Sequence, residues 1–286
     1  MKLGLFGGGF KPFTTGHFSK LADAIRDNDR VILFYGMQQA EPVRYGKRGK
    51  PLRSQQKFRA IGDTTRTYDE STAVSIFEIY KTALERIPNV KVVPVMSQAT
   101  NADGSPASVR SPVRAIFNVL EEFVDSPDKY EKVTVYGDKD SMRPYLRSDK
   151  LRDLVISGKI QFGGAIPESY EDYLDPERLD RLMARGSDEA RQALASYYPE
   201  LEEKEGDTEE EIERKREQAR RLQSVRGTEV RRIASQSDST QEAKRFLPPF
   251  LNDLEKEKII NILLGQNQQD LGESYLREFI RGVIRG

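Results

Sequence analysis

The sequence predicts an α/β fold built on a mostly parallel, doubly wound sheet, and three observations predict it. Short runs rich in β-branched and aromatic residues recur as Lys2 to Phe6, Arg30 to Tyr35, Lys91 to Val95, Lys132 to Tyr136 and Lys159 to Phe162. Stretches with apolar residues at helical spacing lie between them. The run Arg30 to Tyr35 (R-V-I-L-F-Y) is apolar without alternation, the pattern of a strand buried on both faces. Strands alternating with helices make a parallel sheet, because each return to the same edge needs a crossover.

The elements follow in order. Lys2 to Phe6 reads as a short buried strand that ends in Gly7-Gly8-Gly9. After His17, the apolar positions Phe18, Leu21, Ala24 and Ile25 have the spacing of a helix with one buried face, so the first unit is βαβ. Further helical patterns run over Gln55 to Thr65, Thr72 to Ile87, Val113 to Val124 and Asp149 to Ile156, and Thr100 to Pro112 reads as a loop. Beyond Pro167 the strand pattern stops. Residues 200–221 hold ten acidic and six basic side chains, with Glu210–Arg214, Glu211–Lys215 and Glu217–Arg221 at helix-stabilising i,i+4 spacing. The expectation is a core over 1–168, a solvated helical insertion over 169–223, and a C-terminal helical part over 224–286. Leu254, Ile259, Ile262 and Leu263, then Leu276, Phe279, Ile280 and Val283, give that last part its apolar spacing.

Composition excludes several chemistries. Forty-six basic and forty-six acidic residues cancel, so an anion site must be local rather than the product of a global field. The absence of cysteine removes disulfides, thiol nucleophiles and Cys-ligated metals. A single histidine, His17, removes His-cluster metal sites. No apolar run reaches the roughly 18 residues of a membrane span, so the expected location is cytoplasmic, with no membrane partner.

Two constellations carry chemistry. Gly8 to His17 reads G-G-F-K-P-F-T-T-G-H. Glycines at a strand end let backbone N–H groups approach a phosphate, and a helix starting near Gly16-His17 aims its positive end at the same point. Gly8, Gly9, Phe10 and Gly16 are the candidate cradle; His17, Lys11 and Thr14 are the candidate donors and charge. The second, Val225 to Arg231, reads V-R-G-T-E-V-R. Gly227-Thr228 reads as a helix start with Thr228 capping, and Arg231, one turn on, can fork two hydrogen bonds to phosphate.

Two weaker signals accompany them. Gly137-Asp138 follows the Lys132 to Tyr136 strand, on the ligand edge of a parallel sheet. Residues 42–59 contain seven basic side chains and no acidic one, and Arg44, Arg48 and Arg53 are candidates to clamp a phosphorylated acceptor. Nucleic acid is the lesser alternative for that segment, because little aromatic residue is interleaved for base stacking.

At these residues the chain resembles the HxGH nucleotidyltransferase superfamily. The G-G-F-K-P-F-T-T-G-H stretch is similar to the G-R-F-Q-P-F-H-x-G-H of archaeal-type nicotinamide-mononucleotide adenylyltransferases, and G-T-E-V-R to the I-S-G-T-x-x-R signature. This chain departs at Thr14, where most members carry the first His, and at Arg226, where the second signature has Ser. No K-M-S-K-S loop of the competing H-I-G-H ligases is present. The resemblance implies a Rossmann-like core and transfer of a nucleotidyl group from an NTP to a phosphorylated small molecule, with release of pyrophosphate. It implies ATP as donor, nicotinamide mononucleotide as leading acceptor, Mg²⁺ bridged by substrate phosphates, and nucleotide contacts at Gly137, Asp138, Gly227 and Thr228, the first two to ribose or base. Alternatives are a cytidylyltransferase acting on a phosphorylated alcohol or sugar, and a nucleotide-binding regulator without turnover. Self-association as a homo-oligomer stays open.

Overall fold

The computed structural model describes residues 1–10, 12–36, 70–95, 111–137, 139–163, 175, 177–178, 181, 190–236 and 240–264. Its strands are β1 (Lys2–Gly8), β2 (Arg30–Gly36), β3 (Val90–Val95), β4 (Lys132–Tyr136) and β5 (Ile160–Phe162). They form one sheet in the order β3-β2-β1-β4-β5, and each of its pairings is parallel. This is a Rossmann-like α/β fold. From β1 the chain winds outward to β2 and β3, then crosses to β4 and β5 on the other side. That reversal opens a crevice at the carboxyl ends of β1 and β4, where sheets of this class place their ligands.

Helices cover both faces: α1 (Thr15–Asp27), α2 (Glu70–Leu84), α3 (Pro112–Asp125), α4 (Lys139–Leu146) and α5 (Arg152–Ile156). The C-terminal portion adds α6 (Glu209–Ser224), α7 (Gly227–Ala234), α8 (Thr240–Arg245) and α9 (Asp253–Leu263). Side chains alternate across the pleat. Phe6, Val31, Leu33, Tyr35 and Tyr136 face a core shared with Leu21, Tyr80, Leu222, Val230 and Ile259. Leu3, Leu5, Phe34, Val133 and Val135 face the opposite core, with Ile116, Leu120, Phe123 and Leu151. Both faces of the sheet are largely buried, while Lys91 and Pro94 of the edge strand β3 stay exposed.

The strands lie within two residues of their predicted bounds, and β4 coincides with its prediction. The helix pattern over Asp149 to Ile156 divides into a 3₁₀ turn, Asp149–Leu151, followed by α5. The predicted loop ends one residue early, because Ser111 caps α3 with its side chain and Pro112 occupies the first helical position. Sequence reading missed α4, whose Pro144 reads as a breaker but sits inside the helix. The pattern over Gln55 to Thr65 and the apolar series from Leu276 to Val283 lie outside the described residues.

On α6, the predicted i,i+4 pairs give way to other partners. Glu211 closes a capping box with Thr208, Lys215 reaches Asp207 at 2.6 Å, and Arg221 pairs with Glu242 at 3.6 Å. A capping box holds two terminal amide groups at once, so it outcompetes an exposed ion pair worth a few tenths of a kcal/mol. One stripe of α6 is buried at Ala219 and Leu222 and packs on α1.

Candidate functional site

The first constellation occupies the end of β1, the connection 9–14 and the first turn of α1. The glycines differ in what they need. A Cβ on Gly16 would lie 2.4 Å from the Gln223 carbonyl oxygen and 2.8 Å from that of Val225, both backbone atoms. Only glycine lets the α1 terminus dock there. A Cβ on Gly8 would lie 2.6 Å from the buried Phe10 ring, whereas one on Gly9 would meet no atom of the described residues within 4 Å. Among the described residues, Gly9 therefore answers no packing demand.

Thr14 is the N-cap of α1, with extended backbone and a fully buried side chain. Its hydroxyl donates to the Val225 carbonyl at 2.9 Å and accepts from the His17 amide at 3.4 Å. In return the Thr14 amide donates to His17 Nδ1 at 3.0 Å. This is a capping box in which His17 stands where Glu or Gln is usual. The Thr14 hydroxyl also lies 2.9 Å from Nδ1. Because Nδ1 receives the Thr14 amide proton, the neutral ring carries its own proton on Nε2. The imidazole packs edge-on against Phe10 at 5.2 Å and tilted on Phe13 at 5.5 Å.

Thr15 completes the docking. Its amide donates to the Phe246 carbonyl at 2.9 Å and its hydroxyl to the Leu222 carbonyl at 2.7 Å. The backbone of Leu222 to Val225 thus lies against the first turn of α1, and Arg226, the N-cap of α7, follows at once. The two signatures, far apart in sequence, meet at one place.

The start of α7 differs from its prediction. Arg226, not Thr228, is the N-cap, and no side chain caps this helix. Gly227 is its first residue and Thr228 its second, so the amides of this turn keep the anion-attracting character of an uncapped helix start. The helix begins earlier because the Arg226 carbonyl already accepts from the Glu229 and Val230 amides, at 2.9 and 3.2 Å. Arg231 lies on α7 and is buried, with 7% of its surface exposed. Its guanidinium stays charged at any accessible pH.

Gly137 follows β4, and its carbonyl accepts from Lys20 Nζ at 2.7 Å. Lys20 is one turn beyond His17 on α1, so the β4 edge is tied to the same helix. Lys11, Asp138, Arg44, Arg48, Arg53 and the Thr228 side chain lie outside the described residues. Among the described residues no three His, Cys, Asp or Glu side chains converge as a metal site. No described helix is long and apolar enough to cross a membrane.

Sequence reasoning missed Thr15, Lys20, Tyr35 and Tyr80. Tyr35 donates to the Phe10 carbonyl, and Tyr80 exchanges hydrogen bonds with both backbone groups of Phe13. A signal existed for Tyr35: a phenol ending an apolar strand needs a hydrogen-bond partner once buried.

No family model matches the chain, and no curated protein matches it. Among solved structures it is similar to a bifunctional NMN adenylyltransferase/ADP ribose pyrophosphatase from Francisella tularensis, at a TM-score of 0.30 and 11% identity. The match covers 85% of this chain and 55% of that one, so this chain spans about half the length of its neighbour. A likeness of that size carries no argument about activity.

Proposed function

We propose that the chain is a nucleotidyltransferase that moves a nucleotidyl group, adenylyl first, from an NTP to a phosphorylated small molecule and releases pyrophosphate. One observation carries this reading. The α1 terminus bearing His17 docks through Gly16, Thr14 and Thr15 on residues 222–225, directly before the uncapped start of α7. Two helix N-termini, a glycine turn at Gly8-Gly9 and the buried charge of Arg231 then serve one crevice, which suits an anion with several phosphates.

The acceptor phosphate is already a nucleophile at neutral pH, so neither a general base nor a covalent intermediate is needed. An acceptor oxygen bonds to the α-phosphorus of the NTP while the bond to the β-phosphate bridging oxygen breaks, and the electron pair leaves with pyrophosphate. Catalysis rests on alignment and on charge stabilisation along that departing bond. With Nδ1 held by the Thr14 amide, His17 offers Nε2–H as a hydrogen-bond donor to phosphate oxygen. Lys11, Arg231 and the amides at Gly227 and Thr228 supply further positive potential. Mg²⁺, when bound, would be held mainly by substrate oxygens rather than by a protein cage and would neutralise phosphate charge. Gly137 and Asp138 contact the nucleoside, and Arg44, Arg48 and Arg53 contact the acceptor, with nicotinamide mononucleotide the leading candidate.

The test is pyrophosphate release from each of ATP, CTP, GTP and UTP against a panel of phosphorylated acceptors with Mg²⁺. Turnover with ATP and nicotinamide mononucleotide is the expected result. Preference for CTP with a phosphorylated alcohol or sugar would move the assignment to a cytidylyltransferase. Nucleotide binding without turnover on any acceptor would make the chain a regulator.

A further inference from the structure

The aromatic floor beneath His17 is held from below by two phenols for which the proposed reaction has no direct use. Tyr35, near the carboxyl end of β2, donates its hydroxyl to the Phe10 carbonyl at 2.7 Å. Tyr80, on α2, accepts from the Phe13 amide at 3.0 Å and donates to the Phe13 carbonyl at 3.1 Å. Both side chains are fully buried. Burial pushes each phenol well above its ordinary value, and for Tyr80 the neighbouring Tyr35 adds to the effect. Each therefore keeps its proton, and with it its donor, at every working pH.

The residues so held are two whose rings pack against His17. Phe10 and Phe13 lie 4.6 Å apart, and the imidazole rests on both rings. The surroundings are otherwise apolar: Phe13 also contacts Phe6 and Phe250, and Tyr35 contacts Phe77. Phenylalanine at 35 and 80 would fill that space equally well. A buried hydroxyl among such rings is unfavourable unless backbone groups receive it. Here both hydroxyls go to the backbone of the residues under the imidazole.

We propose that Tyr35 and Tyr80 are positioning residues for His17, fixing the backbone at Phe10 and at Phe13 and, through those two rings, the plane of the imidazole and the direction of its Nε2–H. The Thr14 amide fixes which nitrogen carries the proton, and it does so only while the phenols hold the ring in register with that amide. The inference rests on the proposed function only for its kinetic consequence, because the positioning itself has a separate readout.

His17 is the only histidine in the chain, so nitrogen NMR of the imidazole reads this one residue without assignment. At pH 8 the parent should show a single Nε2–H tautomer. Tyr35→Phe and Tyr80→Phe, singly and together, should shift the signal toward the tautomer mixture of an imidazole in water. Should the double variant not fold, the single variants carry the test. In kinetics, Tyr80→Phe should lower kcat roughly 5- to 10-fold with the KM for NTP nearly unchanged, and should have no further effect in a His17→Ala background. An unaltered imidazole spectrum in folded variants, or an equal loss of kcat in both backgrounds, would overturn the proposal. A parent without turnover would sink the proposed function, while the spectrum would still decide the positioning.

Discussion

The hydroxyl of Thr14 donates to the carbonyl of Val225 at 2.9 Å, joining residues 211 positions apart. The same oxygen caps α1, so one small side chain holds the helix start and the link to α7 together. Thr14→Val keeps the shape and loses both bonds. It should lower stability by about 1–2 kcal/mol, the sum of a cap and a buried hydrogen bond, and should reduce turnover as well. Thr14→Ser should restore most of both. Thermal unfolding and pyrophosphate release check it, and a Val variant matching the parent would show that the junction is held by other contacts.

Two glycines should respond in opposite ways. Gly16→Ala places a methyl 2.4 Å from the Gln223 carbonyl oxygen, so the junction must open, and both melting temperature and activity should fall. Gly9→Ala meets no atom of the described residues within 4 Å and should leave melting unchanged. Under the proposed function its effect should show as weaker NTP binding in calorimetry, because the methyl would intrude on the path of a phosphate. Equal NTP affinity in Gly9→Ala and the parent would remove Gly9 from the cradle.

The capping role of His17 is separable from the chemical role that the proposed function gives it. His17→Ala removes the acceptor for the Thr14 amide, so it should cost about 1 kcal/mol of stability besides lowering turnover by roughly 10² to 10³. His17→Gln restores the ordinary capping-box residue and should recover the melting temperature without recovering the rate. A Gln variant with parental turnover would contradict a catalytic imidazole.

Acid should loosen the start of α6. The Lys204 amide and then Lys215 hold the Asp207 carboxyl below its ordinary value, the Thr208 amide and hydroxyl do so for Glu211, and Arg216 does so for Glu203. A lowered folded-state value contributes stability that is present above the unfolded value near ~4 and is lost as pH falls through the folded value. Asp207→Asn should therefore melt earlier than the parent at pH 7, and the gap should close in strong acid. A gap constant from pH 7 to pH 2 would mean that the loss is steric.

Arg30–Gly36 was legible because burial on both faces leaves an apolar run, and Lys132–Tyr136 because valines and a tyrosine stand together in a short K-V-T-V-Y stretch. The helix Lys139–Leu146 was not, since Pro144 carries the same letter whether it breaks a helix or is accommodated in one. At the site, Gly8 to His17 and Val225 to Arg231 stood out as local strings. Their meeting through Thr15, Leu222 and Phe246 did not, because the bonds run to backbone carbonyls, which every residue possesses. Lys20 and Tyr80 were hidden for the same reason. The cap of α7 was misassigned to Thr228 because Thr is a favoured cap type, whereas Arg226 fills the place by backbone geometry alone.

The bonds from Thr15 to the carbonyls of Leu222 and Phe246 also set a schedule for synthesis. The first signature is synthesised well before Leu222 and Phe246, so its helix start lacks part of its docking surface until residue 246 has emerged. A nascent chain halted after β5 would present β1 and α1 without the backbone on which Gly16 closes. Ligand binding should thus be among the last properties a growing chain acquires, and NTP should protect only chains released beyond Phe246 from protease.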